Sequence, residues 1–145
     1  VFERYTERAR RVLFFARHEA GAIGGSAIET EHLLIGLLRE GKGLTSRMFE
    51  RSHISLATIR QEIEARTPVR DSVATSVELP FSTATQRILQ SAAAEADLLG
   101  HNHIGTEHLL LGILREPLSL AGMLLAEHGI ECDIVIRAFR SLETP

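Results

Sequence analysis

Thr30-Glu31-His32-Leu33-Leu34-Ile35-Gly36-Leu37-Leu38-Arg39-Glu40 returns 76 residues later as Thr106-Glu107-His108-Leu109-Leu110-Leu111-Gly112-Ile113-Leu114-Arg115-Glu116, with nine of eleven positions identical. The two that differ exchange Ile for Leu. On the same offset Tyr5 through Glu64 align with Phe81 through Arg140 without a gap, and 18 of those 60 pairs are identical. A match of that length is an internal duplication, and it fixes the architecture before any single helix is placed. The repeated stretch itself reads as a helix. Leu33, Leu34, Leu37 and Leu38 recur at helical spacing, Thr30 reads as the N-cap, and Glu31 and Arg39 suit the two ends of the helix dipole.

Working outward, Ala9, Val12, Leu13, Ala16 and Ala20 give a first helix from Thr6 to about Ala22, with Gly21, Gly24 and Gly25 ending it. A short third helix is expected near Leu44–Arg51, and a fourth over Ile54–Arg66 through Leu56, Ile59 and Ile63. Residues 67–80 hold Pro68, Pro80 and several Ser, Thr and Asp with no helical stripe, and read as a linker. Ser82 and Thr106 then cap two further helices, and Leu118–His128 and Glu131–Leu142 complete the plan. His53 stands where the second copy has Gly129, so a left-handed turn would be costlier there and the first loop looser. The expectation is an all-α fold, a tandem duplication of a four-helix unit packed as one pseudo-two-fold domain, with units at 1–66 and 81–145.

Composition agrees. The 145 residues are 44% hydrophobic but only 5% aromatic and lack Trp, so the core must come from Leu, Ile, Val and Ala, as helix packing prefers. Residues 1–66 carry eleven basic and nine acidic side chains, residues 67–145 five and ten. Arg4, Arg8, Arg10, Arg11 and Arg17 cluster on the first helix, but an acidic second half opposes a continuous phosphate-binding face, so no nucleic-acid partner is expected. Cys132 is alone, which leaves no intramolecular disulfide, and its aligned partner Leu56 suggests a small core residue. No leader and no apolar run near the ~20 residues needed to span a bilayer is present. A cytoplasmic chain with no membrane partner is expected.

Motifs that carry chemistry are few. Gly36-x4-Gly41-Lys42 imitates a phosphate-binding loop, yet Gly43 stands where Ser or Thr must hold Mg²⁺, and Gly36 lies inside a helix. His101, His103 and His108 are close in sequence, as zinc ligands are. Their counterparts are Gly25, Ala27 and His32, and no cysteine or carboxylate completes a familiar spacing. They read as two loop residues and, with His32, structural histidines; no metal, cofactor or catalytic residue is expected. Glu31 and Glu107 differ, because a carboxylate beside unpaired helix N–H groups can hold the guanidinium of a bipolar ligand while the helix terminus takes its anionic end. Phe2, Tyr5 and Phe81 precede the first helix of each unit and form a candidate apolar patch.

The opening Phe2-Glu3-Arg4-Tyr5-Thr6-Glu7-Arg8-Ala9 with Val12-Leu13, and above all Gly100-His101-Asn102-His103-Ile104-Gly105-Thr106-Glu107-His108-Leu109-Leu110-Leu111-Gly112, resemble the double Clp N-terminal domain, nearest the ClpC type of Hsp100 unfoldase. The resemblance implies a domain without ATPase activity, monomeric when isolated. It would receive protein substrates and adaptor proteins for an AAA+ motor that feeds a ClpP-type peptidase. It further implies phosphoarginine binding at the Thr-Glu-His motif of each repeat, Thr30 with Glu31 and Thr106 with Glu107; the apolar patch of Phe2, Tyr5 and Phe81, read from the residues themselves, is the candidate adaptor contact. The family glycine before that motif is kept as Gly105 but is Glu29 in the first repeat, where a second carboxylate would repel phosphate. A free-standing accessory subunit of the same fold is the alternative.

Overall fold

The computed structural model describes residues 2–68, 71–74 and 77–143, without the side chains of 141–143; four residues of the expected linker lie outside that set. Eight helices occur in order among the described residues: α1 Glu7–Ile23, α2 Thr30–Glu40, α3 Gly43–Arg51, α4 Leu56–Glu64, α5 Thr83–Leu98, α6 Thr106–Leu114, α7 Leu120–Glu127 and α8 Cys132–Glu143. The all-α duplicated plan holds. Thr6 caps α1 through the Ala9 N–H, Ser55 caps α4, and Ser82 and Ser119 cap α5 and α7. Gly21 lies inside α1; Gly24, at φ 80°, is the residue that ends it.

The halves are interlocked rather than merely adjacent. The segment before α1 runs beside the loop before α6: Thr6 N–H donates to the Ile104 carbonyl at 3.0 Å, and Ile104 N–H to the Arg4 carbonyl at 2.9 Å. The duplicated partners repeat this exchange, with Ser82 N–H on the Ile28 carbonyl at 3.1 Å and Ile28 N–H on the Pro80 carbonyl at 2.7 Å. Each half therefore supplies the edge that satisfies the other's backbone.

Within each half the paired helices approach closely. A Cβ on Gly36 would lie 2.5 Å from the Val12 carbonyl oxygen, and one on Gly112 2.5 Å from that of Ile88. The glycine of the phosphate-loop imitation is thus a packing residue between α1 and α2. Leu33, Leu34, Ile35, Leu109, Leu110, Leu111 and Ile113 fill the core around it. Buried Glu19 is paired with Arg39 at 3.0 Å and with Arg60, and the duplicated Glu95 is paired with Arg115. These pairings neutralise the two buried carboxylates of α1 and α5.

Two sequence expectations are corrected. Cys132 sits half-buried at the first residue of α8 rather than in the core, because its aligned partner Leu56 likewise opens a helix at the rim. The loop at His53 is not looser than its counterpart. His53 accepts φ 56° where Gly129 has 79°, and both turns close alike, Ile54 N–H on the Phe49 carbonyl at 2.9 Å and Ile130 N–H on that of Leu125 at 3.0 Å.

Candidate functional site

Thr30 and Thr106 do not cap their own helices. The caps are Glu29 and Gly105, and histidine takes the polar role. His32 N–H donates to the Glu29 carbonyl at 3.1 Å while His32 Nδ1 accepts from Glu29 N–H at 2.9 Å; His108 makes the same pair with Gly105 at 3.1 and 2.8 Å. This is a reciprocal cap built on the third helical residue. Burial lowers the His32 pKa below 6.5, in keeping with a neutral ring whose Nδ1 must stay unprotonated to accept.

The displaced threonines reach across the pseudo-two-fold. Thr30 Oγ1 accepts from Ala121 N–H in the first turn of α7 at 3.3 Å, and Thr106 Oγ1 lies 3.2 Å from Thr45 Oγ1 on α3. Positions 45 and 121 are themselves a duplicated pair. The threonines therefore tie each motif helix to the opposite repeat.

The two glutamates, equivalent by duplication, sit in different surroundings. Glu31 opens onto a pocket of about 190 Å³ lined also by Ser26, Glu29, His32, Ile63 and Thr67, with no arginine or lysine. Burial raises the Glu31 pKa above the usual carboxylate value, and the neighbouring charge of Glu29 adds to that rise. Glu107 faces a larger pocket of about 390 Å³, shared between the repeats and lined by Glu7, Arg8, Leu44, Thr45, His103, Thr106 and Phe139. Its Oε1 folds against Gly105, where a Cβ would lie only 1.8 Å away, and stands 3.5 Å from His108 Nδ1. Glu29 excludes the corresponding pose in the first repeat. Arg8 therefore gives the second pocket a cation beside the carboxylates Glu7 and Glu107, whereas the first pocket has Glu29 and Glu31 with no arginine or lysine.

Arg8 was not singled out as a site residue by the sequence, although a signal existed. Where the aligned positions diverge, polar side chains appear: Arg8 has Ala84 as its duplicated partner and His103 has Ala27, both lining the second pocket, and His101, stacked on His103, has Gly25. The other arginines of the α1 cluster serve structure. Arg4 bonds Asp97 and the carbonyls of His101 and Asn102, Arg10 the Phe2 carbonyl, and Arg17 the Ala74 and Val77 carbonyls, while Arg11 pairs with Glu7 and Glu40 at 3.8 and 4.0 Å.

The aromatic patch divides. Tyr5 is only 7% exposed and belongs to the core, since its backbone forms the bridge to Ile104; burial pushes its hydroxyl up to about 12. Phe2 and Phe81 are half-buried, with Phe2 packing edge-on against Tyr5 and Phe81 at ring separations of 5.0 and 6.1 Å. Phe2 forms a ridge between two grooves that the duplication relates. One, of about 440 Å³, runs over Leu13, Phe14 and Ile28 between Arg10 and Arg17. The other, of about 410 Å³, runs over Leu89, Ala93 and Ile104 beside Gln86 and Gln90. Phe14, 68% exposed, is the apolar side chain that the sequence patch omitted. No described helix is long and apolar enough to cross a membrane.

Residues 4–128 match the family model of the Clp repeat (R) N-terminal domain. The chain is 40% identical over 131 residues to the chloroplastic chaperone protein ClpC1 of Arabidopsis thaliana, covering 90% of this chain and 14% of that relative. Its fold superposes on the N-terminal domain of ClpD from Arabidopsis thaliana with a TM-score of 0.79 and 28% identity, covering 99% and 100% of the two chains. A ClpV N-domain in complex with a VipB peptide shares the fold at a TM-score of 0.74 and 20% identity, covering 95% and 86%. The chain belongs to the Clp repeat N-terminal domain family, beside the N-terminal regions of ClpC-type chaperones.

Proposed function

We propose that this domain captures protein substrates and adaptors for an ATP-driven Clp unfoldase, performs no covalent chemistry itself, and recognises phosphoarginine in the Glu107 pocket. The carrying observation is that one pocket between the repeats presents Glu107 and Arg8 together. A phosphorylated guanidinium has a planar N–H edge and a dianionic end. The Glu107 carboxylate takes the first in charge-assisted hydrogen bonds, and Arg8 with the α6 N-terminus takes the second. The Glu31 pocket has Glu29 and Glu31 with no arginine or lysine, so it suits an unmodified basic side chain better than a phosphorylated one.

The grooves beside Phe2 supply apolar area for the chain around the mark. The VipB peptide held by a ClpV N-domain is a precedent at the level of fold. Single-site capture of this kind is weak, and a ring of such domains on a motor would raise it through avidity. The test is calorimetric titration of phosphoarginine and of arginine into the chain and into Arg8→Ala, Glu31→Ala and Glu107→Ala. Phosphoarginine is expected to bind the parent, with Glu107→Ala and Arg8→Ala each weakening it by roughly tenfold or more, as losing a buried charge-assisted contact does. Binding indifferent to both changes overturns the assignment.

A further inference from the structure

His101, His103 and His108 bring three ring nitrogens, one from each, within 4.8 Å of one another. His101 and His103 stack with centroids 5.0 Å apart, and both rings meet His108 edge-on at 5.0 and 5.3 Å. The backbone beneath is held firmly. Gly100 turns at φ 75°, Arg4 bonds the carbonyls of His101 and Asn102, and Ile104 is bridged to Tyr5. His108 is fully buried while His103 is exposed, so the cluster has a fixed floor and an open side. The first repeat has Gly25 and Ala27 in place of the two loop histidines, which confines the cluster to the second.

We infer that these three histidines form a binding site for a borderline divalent metal ion of the Zn²⁺ class. Neutral imidazoles suit Zn²⁺, Ni²⁺ or Cu²⁺ rather than Mg²⁺ or Ca²⁺. A tetrahedral ion at ~2.0–2.1 Å from each nitrogen sets the nitrogens about 3.3 Å apart, within reach of rotamer adjustments by an exposed His103. The fourth position faces the open side and takes water.

The proton inventory gives the site a signature. His108 Nδ1 accepts from Gly105 N–H at 2.8 Å, so the neutral ring carries its proton on Nε2, which lies 2.8 Å from His101 Nδ1 and donates to it. A metal ion entering among the three nitrogens replaces that proton as the bridge between the two rings. The proton then moves to His108 Nδ1, no net proton being lost, and the Gly105 N–H bond gives way. The new Nδ1–H has an acceptor in Glu107 Oε1, 3.5 Å away, which makes the carboxylate–histidine–metal relay common to zinc sites. The site borders the phosphoarginine pocket through His103 and Glu107, yet it is tested with metal alone, so its failure and that of the phosphoarginine reading are distinguishable.

The experiment is titration of Zn²⁺ into the 145-residue chain by calorimetry, and of Co²⁺ by visible absorption, with His101→Ala, His103→Ala and Cys132→Ser beside the parent. Long-range ¹H–¹⁵N spectra of the His108 ring follow in parallel. One equivalent of Zn²⁺ is expected, weakened about tenfold or more in either histidine variant and unchanged in Cys132→Ser, with His108 passing from the Nε2–H to the Nδ1–H tautomer. Since His103 is exposed, His103→Ala retains the fold and stays informative if His101→Ala does not. Absent saturable binding, binding in both histidine variants equal to the parent's, or binding that leaves the His108 tautomer unchanged overturns the three-histidine site.

Discussion

His32 and His108 explain why the repeated motif needs an imidazole at its third helical position. The ring returns a hydrogen bond to the backbone that precedes the helix, a role that Glu or Gln plays in the common capping box. Thr30 looked like the cap because threonine before an apolar stripe is the usual signal; the competing signal was a polar ring three residues after Glu29. For His32 the folded value is lowered, so its contribution to stability is fully present above pH 6.5 and is lost as pH falls through the folded value. Replacing His32 by Gln keeps an acceptor for Glu29 N–H and removes the titrating ring. Equilibrium unfolding is expected to place His32→Gln within about 1 kcal/mol of the parent at neutral pH, with a smaller loss of stability on acidification.

At the scale of the helix, two kinds of position make predictions opposite in sign. Gly36 and Gly112 are helix-interior glycines, where propensity alone would favour Ala by about 1 kcal/mol. Contact reverses that preference, since each Cβ would meet a backbone oxygen at 2.5 Å. Gly36→Ala and Gly112→Ala are expected to cost about 1–3 kcal/mol in urea denaturation. His53→Gly should go the other way, gaining about 0.5–1 kcal/mol by relieving a left-handed φ of 56° on an exposed residue. Helix number and type were legible in the sequence because the 3.6-residue stripes and serine caps are local. Which glycine lay inside a helix was not local information: Gly21 and Gly24 look alike until the linker packs over the first, where Val73 N–H reaches the Gly21 carbonyl at 2.7 Å.

At the scale of the molecule the duplication has become an exchange. Tyr5 with Ile104 and Phe81 with Ile28 cross-brace the halves, and Thr30 and Thr106 each hold the opposite repeat. Thr30→Val would strand the Ala121 N–H in the interior, with a cost of about 1–3 kcal/mol expected in denaturant, whereas Thr30→Ser keeps the acceptor and should sit nearer the parent. The same exchange accounts for how the candidate site was read. Both glutamates were visible as members of a repeated motif, but the difference between their pockets arises from Arg8, which arrives from the other repeat, and from Gly105, whose missing Cβ makes room for Glu107. A duplicated sequence thus produces two acidic pockets, of which only one holds a cation. The most direct measurement follows backbone amide shifts of the unaltered chain as phosphoarginine is added. The account predicts saturable shifts at Arg8, Thr45 and residues 103–108, with residues 25–32 nearly still; equal shifts in both repeats, or none in the second, would contradict it.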